Sequence, residues 1–254
     1  MTGTAGPGER ILLEAKDLSK RYEDGVLALD NLNLQVKETQ IFAMLGANGA
    51  GKTTAINLFL NFIEPTSGQA EVDGIVTHLD PLKAKTKLAY VSENVMLYPN
   101  FTALQNLDFF ARLAGRAEID DEGCREILMR VGLAASEHNK KIKDLSKGMR
   151  QKCGIAIAII KDAPAILLDE PTSGLDPQAG REFIDLLAGL RDEGKAILMS
   201  THDIFRAREV ADEIGIMSAG KMVMQKKREE LHGEDLEKLY LMYMAGGPVP
   251  VYKV

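Results

Sequence analysis

The chain has 254 residues, 45% of them hydrophobic and 27% charged, with a net charge of −6. That length suffices for one large domain with its own core, and the acidity argues against a nucleic-acid partner held by bulk electrostatics. Two cysteines are too few for a disulfide framework and lack metal-ligand spacing, so a reducing cytosol is the expected compartment.

Residues 1–9 are polar and small, read as a flexible tail, and lack the apolar core of a secretory signal. No stretch approaches the ~18 consecutive apolar residues of a membrane span. Residues 11–18 and 27–36 read as strands, the second alternating in Leu29, Leu32 and Leu34. Residues 41–45 form a short apolar run, read as a buried strand that ends in a glycine-rich loop. A helix is expected over 52–62, with Ile56, Phe59, Leu60 and Ile63 on one face and Pro65 and Gly68 as its stop. Residues 70–72 and 88–91 are short strand candidates.

Between residues 95 and 160 the texture changes. Residues 102–113, 120–131 and 147–160 are helical in pattern with no strand between them, which predicts a helical insertion. Strands at 165–168 and 196–200 then alternate with helices at 178–190 and 204–211. A terminal hairpin is expected around Ala219 and Gly220, from 214–217 and 222–224, and a last helix over 231–244. Alternating strands and helices imply an α/β fold with a mostly parallel sheet. Glu-Pro-Thr-Ser-Gly occurs twice, at 64–68 and 170–174, in different surroundings, and reads as two similar turns rather than a duplication.

Gly46, Ala47, Asn48, Gly49, Ala50, Gly51, Lys52 and Thr53 fit the pattern G-x-x-x-x-G-K-[ST] between a predicted strand and a predicted helix. Glycines let the backbone curl so that successive N–H groups point at an anion, and the helix N-terminus adds its positive end. Lys52 is expected to reach the β- and γ-phosphates of ATP. The Thr53 hydroxyl is expected on Mg²⁺, with Thr54 completing the nucleotide-binding turn. A buried apolar strand at 165–168 then runs into two carboxylates, which is costly without a cation. Asp169 is expected to hold Mg²⁺, and Glu170 to polarise the attacking water as general base.

Five further pieces carry a resemblance. Leu145-Ser146-Lys147-Gly148-Met149-Arg150-Gln151 precedes an apolar helix. Ser173-Gly174-Leu175-Asp176-Pro177 follows Glu170, His202 follows the strand 196–200, Tyr22 precedes the strand 27–36, and Glu93 follows 88–91. In order and spacing these resemble the nucleotide-binding subunit of an ATP-binding-cassette transporter over residues 10–245. The resemblance implies a P-loop NTPase core with an N-terminal antiparallel β subdomain (10–92 and 161–225). It also implies an α-helical insertion subdomain with the signature motif (93–160) and a C-terminal helical extension (226–254).

By resemblance, Tyr22 stacks on adenine, and Ser146 and Gly148 contact the γ-phosphate of ATP held by a second subunit. Asp176 communicates between the two sites, and His202 contacts the γ-phosphate and the attacking water. The signature of the family usually reads Leu-Ser-Gly-Gly-Gln. Here Lys147 replaces a glycine and Met149 the glutamine, and Lys147 is left either as an added cationic contact or as a solvent-facing residue. Glu93 stands where glutamine is usual and is assigned to Mg²⁺ and catalysis, since a carboxylate also coordinates that ion.

These departures resemble ATPases of membrane exporters with separate permease chains. The implied partners are a second copy of the chain, head to tail, and an integral membrane permease, with the ATPase peripheral on the cytoplasmic face. Val95, Met96, Leu97, Tyr98 and Phe101 are candidates for the permease contact, about half of them expected in the subdomain core. The alternatives are a soluble cassette ATPase acting on nucleic acid or the ribosome, and a regulatory module that holds ATP unhydrolysed. One cassette, no heptad arm and a negative net charge stand against the first; Glu170 and His202 stand against the second.

Overall fold

A computed structural model describes residues 10–231 and 234–244. The expected tail at 1–9 and the last ten residues of the C-terminal extension lie outside them. The chain opens with β1 (Ile11–Arg21), β2 (Leu27–Lys37) and β3 (Gln40–Leu45), then α1 (Lys52–Phe59), β4 (Ser67–Val72) and β5 (Ile75–Val76). Next come α2 (Pro81–Thr86), β6 (Leu88–Val91), α3 (Ala103–Leu113), α4 (Asp121–Arg130) and α5 (Lys147–Lys161). It closes with β7 (Ala165–Asp169), α6 (Pro177–Asp192), β8 (Ala196–Thr201), α7 (Ile204–Val210), β9 (Glu213–Ser218), β10 (Lys221–Lys227) and α8 (Leu236–Met244).

The strands form two sheets. A four-stranded antiparallel sheet runs β2-β1-β4-β5, and a six-stranded sheet runs β10-β9-β3-β8-β7-β6. In the second sheet β9, β3, β8, β7 and β6 are mutually parallel, and only β10 is antiparallel. The central strand β3 is buried on both faces, as parallel strands are. Ile41, Ala43 and Leu45 face the core shared with α3–α7, whereas Phe42 and Met44 face the core shared with α1 and the antiparallel sheet. A strand buried twice shows no alternation in its sequence, which is why 41–45 reads as a continuous apolar run.

α3, α4 and α5 lie between β6 and β7 and pack together through Leu104, Leu107, Cys124, Leu128 and Ile155, all buried. Their starts are capped as their sequences predict. Thr102 accepts from Gln105 N in a reciprocal capping box, and Asp120 and Ser146 accept from the N–H groups three residues on.

Three expectations are corrected. The helix at 52 ends at Phe59, before Pro65 and Gly68 are reached, because Asn61 takes a left-handed backbone (φ 49°) and Phe62 N donates to Asn57 O. The extension expected to be helical from 226 begins as strand: Lys226 and Lys227 pair with Ile214 and Glu213. Residues 228–231 form a 3₁₀ turn, so the last helix starts at Leu236 and not at 231. The short elements β5 and α2 had no periodic signal; Asp80 capping Lys83 N and Pro81 at the first helical position fix α2.

Candidate active site

The carboxyl ends of the neighbouring strands β3, β8 and β7 lie together at one end of the six-stranded sheet, the usual place for a ligand crevice in a parallel sheet. The glycine loop leaves β3 and turns into α1 at Gly51, with Gly49 and Gly51 at φ +81° and +104°. A β-carbon on Gly51 would sit 2.6 Å from Ala28 O, and one on Gly46 2.6 Å from Met217 O. Close approach of neighbouring backbone therefore requires both glycines. The loop is buttressed by Gly220, at the tip of the β9–β10 hairpin, whose N–H donates to Ala50 O at 3.1 Å.

The loop frames an open hollow of about 680 Å³. Ala47, Asn48, Gly49, Ala50, Gly51, Lys52, Thr53 and Thr54 line it, together with Glu93, Asp169 and Glu170. Lys52 is buried, and its Nζ donates to Gly46 O at 2.6 Å and Ala47 O at 3.3 Å, facing Glu170 Oε1 at 3.3 Å. That carboxylate oxygen is buried and makes no hydrogen bond. The other oxygen, Oε2, lies 2.8 Å from His202 Nδ1 and accepts from His202 N at 3.3 Å. Glu170 thus ends the buried strand as a turn residue in left-handed backbone (φ 48°), held between a lysine and a histidine.

Asp169 is buried at the end of β7 and accepts from Thr53 Oγ1 at 3.3 Å and from Ser200 Oγ at 2.5 Å. Ser200 Oγ also accepts from Glu170 N at 3.0 Å. This fully buried serine, one strand over on β8, fixes both carboxylate residues. From the sequence Ser200 is only the last residue of a strand; its signal is a polar side chain that closes an apolar run just as Asp169 does on β7. Among the described residues no group of three or more His, Cys, Asp or Glu forms a metal cage. Thr53 and Asp169, with Glu93 nearby, are hard oxygen donors in small number. That set suits Mg²⁺, which keeps water and phosphate oxygens in its shell, and not an ion that needs a full protein cage.

Glu93 follows β6 and is half-buried. Its Oε1 accepts from Ser173 Oγ at 2.9 Å and Lys147 Nζ at 3.4 Å. The Ser173 hydrogen bond, and then Lys147, hold its carboxyl below the usual carboxylate range. Ser173 and Gln151 belong to the quoted motifs without a role of their own, yet Gln151 Nε2 donates to Ser92 O at 3.2 Å and Glu93 O at 2.7 Å.

The remaining expected residues stand apart from this hollow. Ser146 is exposed at the start of α5 and spends its side chain on Met149 N. Gly148 packs toward Ala179, and a β-carbon there would meet Ala179 Cβ at 3.2 Å. Asp176 is exposed and caps α6 through Ala179 N at 2.9 Å. Tyr22 is half-exposed beside a separate hollow lined by Lys20, Glu23, Asp24, Ile63 and Glu64, with Lys20 Nζ 5.5 Å from its ring centre. Of the expected permease-facing residues, Met96, Tyr98 and Phe101 are exposed, whereas Val95 and Leu97 pack on the core.

The family described as ABC transporter matches residues 29–173. The chain is 35% identical to the methionine import ATP-binding protein MetN of Staphylococcus haemolyticus, over 85% of this chain and 66% of that protein. It is 34% identical to the probable multidrug ABC transporter ATP-binding protein YbhF of Escherichia coli, over 90% of this chain and 39% of that protein. It is 32% identical to the Nod factor export ATP-binding protein I of Cupriavidus metallidurans, over 90% of this chain and 79% of that protein. The chain thus spans just under two thirds of the first of these relatives and well under half of the second.

Among solved structures, an ATP-binding subunit of an ABC transporter superposes with a TM-score of 0.78 at 27% identity, over 91% of this chain and 98% of that one. A dimeric ATP-binding cassette in a post-hydrolysis state with ADP and Pi superposes with a TM-score of 0.77 at 30% identity, over 85% and 99%. A family match across more than half of the chain, on a fold shared along most of its length, makes this protein a member of the ABC transporter family, as an ATP-binding cassette.

Proposed function

We propose that this chain binds MgATP at residues 46–53 and hydrolyses it within a head-to-tail dimer that drives export through a separate membrane permease. The observation that carries the reading is Glu170, held between Lys52 and His202 at the mouth of the phosphate hollow. A carboxylate fixed beside that hollow by Lys52 and His202 is suited to accept a proton from water. Lys52 and the inward N–H groups of the loop hold the phosphates, and Thr53 and Asp169, with Glu93, hold Mg²⁺. The ion, when bound, supplies positive charge against the phosphate oxygens. His202 orients Glu170 through its Nδ1.

Two observations support a dimer. Ser146 and Gly148 are not among the residues lining the chain's own phosphate hollow and Ser146 is exposed, which suits them to the phosphates of another copy. A solved relative at 30% identity is a dimeric cassette. A permease partner is supported by the relatives' names and by exposed Met96, Tyr98 and Phe101 at the start of the helical insertion. No helix among the described residues is long and apolar enough to cross a membrane, which fits a peripheral position on the cytoplasmic face. Export is supported by the Ser146–Gln151 stretch and by the name of one of the three relatives, the Nod factor export protein, whereas the name of another is of import.

The test is phosphate release by the purified chain over a range of protein concentration. Specific activity should rise with concentration and fall again on dilution. Activity that stays strictly proportional to protein overturns the dimer, and absence of MgATP turnover at any concentration overturns the ATPase reading.

A further inference from the structure

Glu93 and Lys147 are the residues that replace the usual glutamine and one signature glycine. They lie 54 residues apart in sequence and meet in the fold, with Lys147 Nζ 3.4 Å from Glu93 Oε1. Lys147 is the first residue of α5, and its side chain is about three-quarters buried. It closes over the turn at Gly174, where a β-carbon would sit 3.5 Å from Nζ. One helical turn on, Gln151 reaches the same loop from the same face, donating to Ser92 O and Glu93 O. Ser173 holds the same Glu93 oxygen from the loop after β7. Val91 and Val95 press so closely on α5 that a β-carbon at Gly154 would meet them at 3.0 and 3.2 Å.

We propose that the first two turns of α5 form a clasp in which Lys147 and Gln151 act as positioning residues, holding Glu93 at the phosphate hollow of their own subunit. The usual pair of residues, glutamine and glycine, could not make the charged contact. Here the signature helix is tied by charge to the loop that lines the chain's own nucleotide site before any second copy arrives. Lys147 neutralises Glu93 where phosphate charge has to enter. Released from the lysine, the Glu93 carboxylate would stand as a bare negative charge beside the incoming phosphates. The inference rests on residues 46–53 holding ATP.

The test is a double-substitution cycle on the full chain, with metal-free ATP as the probe, at protein concentrations where the chain is monomeric. Lys147→Ala should weaken ATP binding roughly twofold to fivefold, the range of a partly exposed ion pair. Lys147→Arg should stay within twofold of wild type. In the Glu93→Gln background Lys147→Ala should change nothing. An equal loss in both backgrounds overturns the clasp, since the lysine would then act elsewhere, and so does no loss with Glu93 present. Amide exchange at residues 92–96, without nucleotide, should quicken in Lys147→Ala, whereas exchange in β3 stays unchanged. Unchanged exchange at 92–96 also overturns the clasp. A wild-type chain that binds no ATP overturns the nucleotide reading instead.

Discussion

Glu170 Oε2 and His202 Nδ1 lie 2.8 Å apart, although the two residues are 32 positions apart and end different strands. The contact exists because β7 and β8 are parallel neighbours in register, so that Asp169 pairs with Ser200, and Glu170 and His202 follow the last residues of the two strands. The proposed base is therefore fixed by a partner that only the sheet supplies.

Glu170→Gln keeps the size of the side chain and removes its basicity. Turnover should fall by roughly 10²–10⁴-fold, the span of positioned general bases, whereas ATP affinity stays within a few-fold. Phosphate release and nucleotide titration measure the two quantities. Turnover near wild type would sink the assignment.

Lys52→Ala removes a buried cation that bridges Gly46 O, Ala47 O and Glu170. Losing charge-assisted bonds to phosphate should weaken ATP binding by roughly 10- to 100-fold. Binding unchanged in a calorimetric titration would refute the role given to this lysine.

Ser200→Ala leaves Asp169 Oδ1 and Glu170 N without the hydroxyl that joins them. Asp169 Oδ1 keeps Thr53 Oγ1 and Glu170 N keeps Ser200 O, so the cost is that of lost hydrogen bonds, roughly 0.5–1.5 kcal/mol each. Each kcal/mol lowers the melting temperature of a chain this long by roughly 2–4 °C. Turnover should fall as well, because both carboxylates lose their common anchor. An unchanged melting curve would show that Ser200 is not that anchor.

Gly49→Ala and Gly51→Ala should differ. Both residues have positive φ, costing an alanine roughly 1–2 kcal/mol each. Gly49 faces open space, whereas a β-carbon on Gly51 meets Ala28 O at 2.6 Å. Gly51→Ala should therefore displace the loop and abolish nucleotide binding, while Gly49→Ala keeps measurable binding. The reverse order in parallel titrations would contradict the loop geometry.

Burial pushes the Cys124 thiol up to about 11 and Cys153 up to about 12. At pH 8 the reactive thiolate is scarce at both, so the folded chain should react slowly with an aromatic disulfide reagent. Denaturant should expose both thiols at once. The sign for stability follows from raised folded-state values: the contribution is complete below the unfolded thiol value near 9 and is lost as pH climbs through 11–12. Rapid labelling of the native protein at pH 8 would contradict this burial.

Much of the site was legible because its chemistry is local. The loop from Gly46 to Thr53 needs glycines at fixed offsets and a helix behind it, and eight consecutive residues specify both. Strand β7 ending in Asp169 and Glu170 was legible for the same reason, since carboxylates after an apolar run stand out. Boundaries failed where a single backbone residue decides. Asn61 ends α1 through a left-handed turn that no periodicity announces. β10 runs on through Lys226 and Lys227 because β9 supplies the partners, and two lysines carry no strand signal of their own.

The sequence by itself determined an α/β cassette with a phosphate loop, a carboxylate pair and a signature helix, because each is written in contiguous residues. Only the tertiary structure decided which of them share a site. Parallel register brings Ser200 under Asp169 and His202 onto Glu170. The packing of α5 against β6 brings Lys147 to Glu93, while Ser146 stays outside the phosphate hollow. Hydrogen bonds and ion pairs act over about 3 Å, and residues 30 to 116 positions apart reach that distance only when the sheet and the helices packed on it have formed.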